Sequence, residues 1–144
     1  MNNSVYPRRS LETIRKGQCS EAHFSVTAKE LAAFIKACGD RHPLHTNPRF
    51  ARQRGYKDVI VHGMCVVARC SSFFANKFVG SHGLFVNINA DFRLPVFVDD
   101  PLVWRAQVVR VKLNSRTIEA KWHVSNASGQ IIQKGTGCAW FPKE

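Results

Sequence analysis

No stretch of this chain approaches the roughly 18 consecutive apolar residues that a bilayer-spanning helix needs. The longest apolar run, 59–68, contains His62 and is closed by Arg69, so it reads as a buried element. Residues 1–18 lack the apolar core of a secretory signal. Their basic residues Arg8, Arg9, Arg15 and Lys16 are interrupted by Pro7 and Glu12, which spoil the basic amphipathic helix of a mitochondrial presequence. The expected location is the cytoplasm. CxxC pairs are absent, and the five cysteines (Cys19, Cys38, Cys65, Cys70 and Cys138) are odd in number. This excludes a disulfide framework and fits a reducing compartment with thiols packed as small apolar groups. Acidic residues are scarce: 10 against 21 Lys and Arg, a net charge of +11. Such a field attracts polyanions, whether nucleic acid or a phosphate-bearing small molecule. Yet no aromatic-interleaved basic stripe of the single-strand-binding kind is present. Repeats, low-complexity tracts and linkers are missing as well. The 144 residues are therefore expected to form an N-terminal extension, 1–18, and a single domain, 19–144, able to bury about two-thirds of its unfolded surface.

What is present is a change of period half-way along. A short strand is expected from Cys19 to Val26. Thr27-Ala28-Lys29-Glu30 has capping-box spacing, and Leu31, Phe34, Ile35 and Cys38 follow at helical spacing until Gly39 ends the helix. Asp40 to His45 then reads as a loop stiffened by Pro43. A short helix is expected from Pro48 to Arg54, with Asn47 as its cap. From Gly63 to about Lys77 the chain is apolar on most faces, the mark of a helix buried by its own fold. Leu84 to Val96 alternates apolar and other residues with period two, and further strands fit Leu102–Leu113, Thr117–Ser125 and Ile131–Phe141. Consecutive strands joined by short turns make an antiparallel sheet. The helix from Gly63 is the only element long enough to cover one face of it. The expected class is α+β, a sheet wrapped around one long central helix.

Asp40 and His45 stand five residues apart between glycine and proline. They supply a carboxylate and an imidazole, the groups of a proton-transfer pair. Read by themselves they also fit a turn aspartate and a loop histidine. His42 and His45 form an HxxH, but Pro43 prevents the helical spacing that would set both imidazoles on one face for a metal. His62, on an apolar run, reads as a buried, hydrogen-bonded histidine. The Gly63 amide would lie among the unpaired donors of a helix N-terminus, where developing negative charge is stabilised. Alternatively, Gly63 only lets the helix pack closely. Ser71, two turns on, could reach back toward the loop pair or bond to its own helix. Gly135 and Gly137 form a lone GxG, which is no phosphate loop.

Taken together, Phe34-x4-Gly39-Asp40-x-x-Pro43-Leu44-His45, then Ala51, Ile60-Val61-His62-Gly63-Met64 and Ser71 resembles the MaoC-like, hydratase-2 group. These are (R)-specific enoyl-CoA hydratases and 3-hydroxyacyl-thioester dehydratases of hot-dog fold. The resemblance runs from Lys16-Gly17-Gln18 through Phe92-Arg93-Leu94-Pro95-Val96 to the last strand. It implies that Asp40 and His45 hold a catalytic water and that the Gly63 amide binds the thioester oxygen. Ser71 would add an auxiliary hydrogen bond. The substrate would be an acyl-CoA, with acyl-carrier-protein thioesters as the other candidate. The chain would work as a homodimer, with no metal or other cofactor and with neither membrane nor nucleic acid as a partner. Alternative readings are a hot-dog acyl-CoA thioesterase, or a non-catalytic thioester- or nucleic-acid-binding module. This chain departs from the group's pattern at His42, where Asn is usual, and at Asn47, where Asp is frequent.

Overall fold

The computed structural model describes residues 6–143; the expected extension falls partly outside them, at residues 1–5. Five antiparallel strands form one sheet. They are β1 (Cys19–Phe24), β2 (Leu84–Phe92), β3 (Leu102–Lys112), β4 (Thr117–Asn126) and β5 (Ile131–Trp140), in the spatial order β1-β3-β4-β5-β2. Helix α1 (Ala28–Cys38) follows β1. Two short helices, α2 (Pro43–Thr46) and α3 (Pro48–Gln53), lead to the central α4 (Gly63–Phe74). The last turn of α4 widens into a π-type segment, Ala75–Val79.

The core lies between α4 and the inner face of the sheet. Val66, Cys70 and Phe74 of α4 are buried, as are Trp104 and Val108 of β3 and Ala120, Trp122 and Val124 of β4. Phe74 makes an edge contact with Trp104 and stacks on Phe85 of β2 at 5.0 Å. The sheet thus wraps a central helix, the hot-dog arrangement expected above. Residues 6–18 are laid onto this body, with Leu11 and Ile14 buried in the same core.

Three local expectations change. The segment 40–45 is not all loop. Pro43 occupies the first position of α2, where its fixed φ and missing N–H suit a helix start, so His45 is carried on a helical turn. The alternation in Leu84–Val96 is broken by a register shift between Phe85 and Asn87. Phe85, Ile88 and Ala90 therefore face inward, while Leu84 and Val86 are left exposed. Finally, α4 is not buried all round: Met64, Ala68 and Ser72 form an open stripe along it.

Candidate active site

Sequence places the first acidic group by ending a helix. Gly39 adopts φ 77°, donates its N–H to Ile35, and turns the chain so that Asp40 follows immediately. A residue with a Cβ would be strained there. The His42 backbone N–H donates to Asp40 Oδ1 at 3.0 Å, and His42 Nδ1 accepts the Leu44 N–H at 3.2 Å, capping α2. The His42 side chain is thus a helix cap. The other family departure, Asn47, caps α3 by accepting the Phe50 N–H, as its residue type allows.

The segment before α4 brings the second half of the group. The Ile60 N–H donates to Leu44 O and the Val61 N–H to Val96 O, so 60–63 is pinned between α2 and the segment after β2. His45 Nδ1 lies 2.6 Å from Ile60 O, and His62 Nε2 lies 3.1 Å from Asp40 O and 3.3 Å from Asp40 Oδ2. A carbonyl only accepts. Both tautomers are thereby fixed: His45 carries its proton on Nδ1 and keeps a lone pair on Nε2, while His62 carries its proton on Nε2. The two imidazoles stack with centroids 3.6 Å apart.

Electrostatics follow from these contacts. Asp40 is held below the usual carboxylate range, first by the His42 amide hydrogen bond and then by the neighbouring imidazoles. Burial and the adjacent His45 push His62 below its ordinary value, against the opposing pull of Asp40. His62 is therefore a neutral donor beneath an ionised carboxylate. Burial raises the thiols of Cys65 and Cys138 and takes Cys70 to about 12.

One atom each of Asp40, His45 and His62 lie within 4.8 Å of one another. Among the described residues this is the group with spacing suited to a metal ion. However, its two imidazoles are stacked 3.6 Å apart with planes only 24° from parallel, so lone pairs confined to those separate planes do not converge on one ion. A water fits better, since two groups bonded to one water at about 2.8 Å each stand about 4.5 Å apart.

A cleft of about 510 Å³ contains Asp40, His45, His62 and Gly63, with Phe34, Tyr56 and the 92–96 segment as walls. Gly63 opens α4, so its N–H and that of Met64 have no carbonyl one turn back to bond. A Cβ at Gly63 would stand 2.7 Å from the Phe92 ring, so close packing and an accessible amide coincide at one glycine. The cleft thus joins Asp40, His45 and Gly63. Ser71, eight residues along α4 from Gly63, does not line this cleft. His62 is the buried, hydrogen-bonded histidine that its apolar run predicts, and its partners are Asp40 and, by stacking, His45. Gln133 of β5 carries no sequence signal that places it here. It is buried, lines the cleft, and donates through Nε2 to Gly63 O at 3.1 Å.

The chain is similar to known proteins along most of its length. The chain is 29% identical over 133 residues to an (R)-specific enoyl-CoA hydratase of Aeromonas caviae, covering 92% of this chain and 99% of that one. It is 27% identical over 119 residues to a mitochondrial 3-hydroxyacyl-[acyl-carrier-protein] dehydratase of Arabidopsis thaliana, covering 81% and 70%. In structure it matches the (R)-hydratase from A. caviae involved in PHA biosynthesis with a TM-score of 0.85. That match is at 24% identity over 91% of this chain and 99% of the other, and it shows the shared fold. The family model for the MaoC like domain matches residues 10–129, and with that the chain belongs to the MaoC-like dehydratase family.

Proposed function

We propose that this chain is a hydro-lyase that adds water to trans-2-enoyl-CoA and removes it from (3R)-hydroxyacyl thioesters. One observation carries the reading. An ionised carboxylate and the His45 imidazole each offer an atom within 4.8 Å of the other, a spacing that one water spans, in the cleft where the first amides of α4 are open. In hydration, the thioester oxygen binds the Gly63 N–H and takes up negative charge as C2 becomes enolate-like. The water oxygen bonds to C3, its proton passes to His45 Nε2, and Asp40 orients the remaining O–H. The proton held by the pair is then delivered to C2, restoring both groups; dehydration reverses each step. The sense of the (3R) assignment follows the relatives named above. Ser71 keeps the auxiliary hydrogen bond that the resemblance gives it only if a bound substrate or a second copy reaches along α4. No metal or redox cofactor is called for. The charge of +11 suits a phosphorylated carrier, and a homodimer is the proposed assembly.

The test is loss of enoyl absorbance when the purified chain meets crotonyl-CoA and longer enoyl-CoAs. Asp40→Asn and His45→Gln should each lower turnover by about two to four orders of magnitude while circular dichroism stays unchanged. Absence of hydration by the unaltered chain sinks the reading. Release of free thiol in place of hydration makes the chain a thioesterase.

A further inference from the structure

Gln133 is an expensive residue for its place. It stands on the inner face of β5, opposite Val124 of β4 and Phe92 of β2, and is 2% exposed. An apolar side chain would fill the position without burying an amide. Its Nε2 donates to Gly63 O, an acceptor that fixes which end of the carboxamide points there. Its other end, Oε1, is buried and has no hydrogen-bond partner. Buried acceptors are seldom left so, and an orphan in a cleft wall calls for a donor supplied by a ligand.

Two kinds of unused polar atom therefore lie around the start of α4, where Gln133 is part of the cleft wall and its Oε1 is closed to solvent until a ligand displaces that wall. The Gly63 and Met64 N–H groups want an oxygen. Gln133 Oε1 wants an N–H or O–H. Given the function proposed above, on which this inference rests, the water or 3-hydroxyl is already held by Asp40 and His45. One other donor lies close to a carrier-bound thioester carbonyl: the amide N–H two carbons beyond the sulfur, in the cysteamine unit. We propose that Gln133 is a binding residue for the carrier arm, its Oε1 accepting that amide N–H while its Nε2 holds the Gly63 peptide in place. The same carboxamide then ties the thioester oxygen site to the arm that delivers the thioester. Coenzyme A and the prosthetic arm of acyl carrier protein share this unit, so Gln133 serves either.

The experiment uses two small substrates that differ in one group. One is the crotonyl thioester of N-acetylcysteamine, which has the N–H. The other is the crotonyl thioester of 2-acetoxyethanethiol, in which oxygen replaces it. The unaltered chain should hydrate the amide with kcat/KM about tenfold above the ester. In Gln133→Met, which keeps side-chain length, both rates should fall because the Gly63 peptide loses its support, but the amide should fall about tenfold further, bringing the amide-to-ester ratio to about one. An equal amide-to-ester ratio in both proteins, or no preference in the unaltered chain, overturns the proposal and leaves Gln133 as a packing residue. The second outcome is readable even if the variant does not fold. Hydration of crotonyl-CoA by the unaltered chain tells this failure apart from failure of the hydratase reading itself. Comparing crotonyl-CoA with the crotonyl thioester of acyl carrier protein, in the unaltered chain, decides which carrier delivers the arm.

Discussion

His62 shows how one buried side chain can govern two others. Its Nε2 proton is spent on Asp40 and its ring face on His45, so its protonation would disturb both. Its folded-state pKa is below the ordinary 6.5 because of burial and the neighbouring His45. Between that lowered value and 6.5 the unfolded chain binds more protons than the folded one. Stability therefore falls as pH drops through this window. His123 in β4, lowered by burial and by Arg105, acts in the same sense. Asp40, lowered from 3.8, contributes stability that is lost only at still lower pH. Unfolding free energy measured with urea from pH 7 to 5 should decline, at no more than about 1.4 kcal/mol per pH unit for each histidine. In His62→Gln the decline should be shallower; an unchanged slope would remove His62 from this account. Asp40, His45 and Gly63 could be found in the sequence because they stand in a short gapped pattern. Gln133 could not, since only the pairing of β5 with β4 shows that it faces the helix and not solvent.

At the level of elements, local rules carried further than patterns of burial. Thr27 and Glu30 make the complete capping box. The Glu30 N–H donates to Thr27 Oγ1 at 3.2 Å, and the Thr27 N–H donates to Glu30 Oε2 at 2.8 Å. Because α1 ends at the glycine that sets Asp40, fraying at its start is felt in stability before it is felt in the site. Thr27→Ala should lower unfolding free energy by about 1 kcal/mol, with kcat unaltered, whereas Thr27→Ser should match the parent in urea denaturation. Such signals were legible because a cap is a matter of four adjacent residues. The break in β2 was not. A bulge depends on how two strands are matched, and the inward Phe85 ring finds room beside Gly137 of β5, which pairs with Ile88 and whose missing Cβ site lies 3.0 Å from that ring. Likewise, the amount of α4 left open depends on how far the sheet wraps, which helical periodicity cannot report.

At the scale of the whole molecule, the sheet has two open edges. Strand order leaves β1 and β2 at the edges. The longer one, β2, exposes Leu84, Val86 and Phe92, with Trp140, Leu94 and Met64 also exposed. A long apolar edge with unpaired backbone groups invites strand pairing with another chain. In the proposed homodimer this edge is where a second copy would add its own β2, which also shields those side chains. The protein should therefore sediment at twice the 16.2 kDa of one chain. A charge on the edge should oppose both the pairing and the burial, so Val86→Lys should shift the equilibrium toward monomer. A matching charge at Lys112, on the internal strand β3, is already present in the parent and serves as the contrast: Lys112→Ala should leave the mass unchanged. If the unaltered chain sediments as a monomer at micromolar concentration, the β2 edge is protected by some other means and the dimer is wrong. If it is a dimer that Val86→Lys does not weaken, the pairing runs through another surface, and the open stripe of Met64, Ala68 and Ser72 on α4 is the next to be charged.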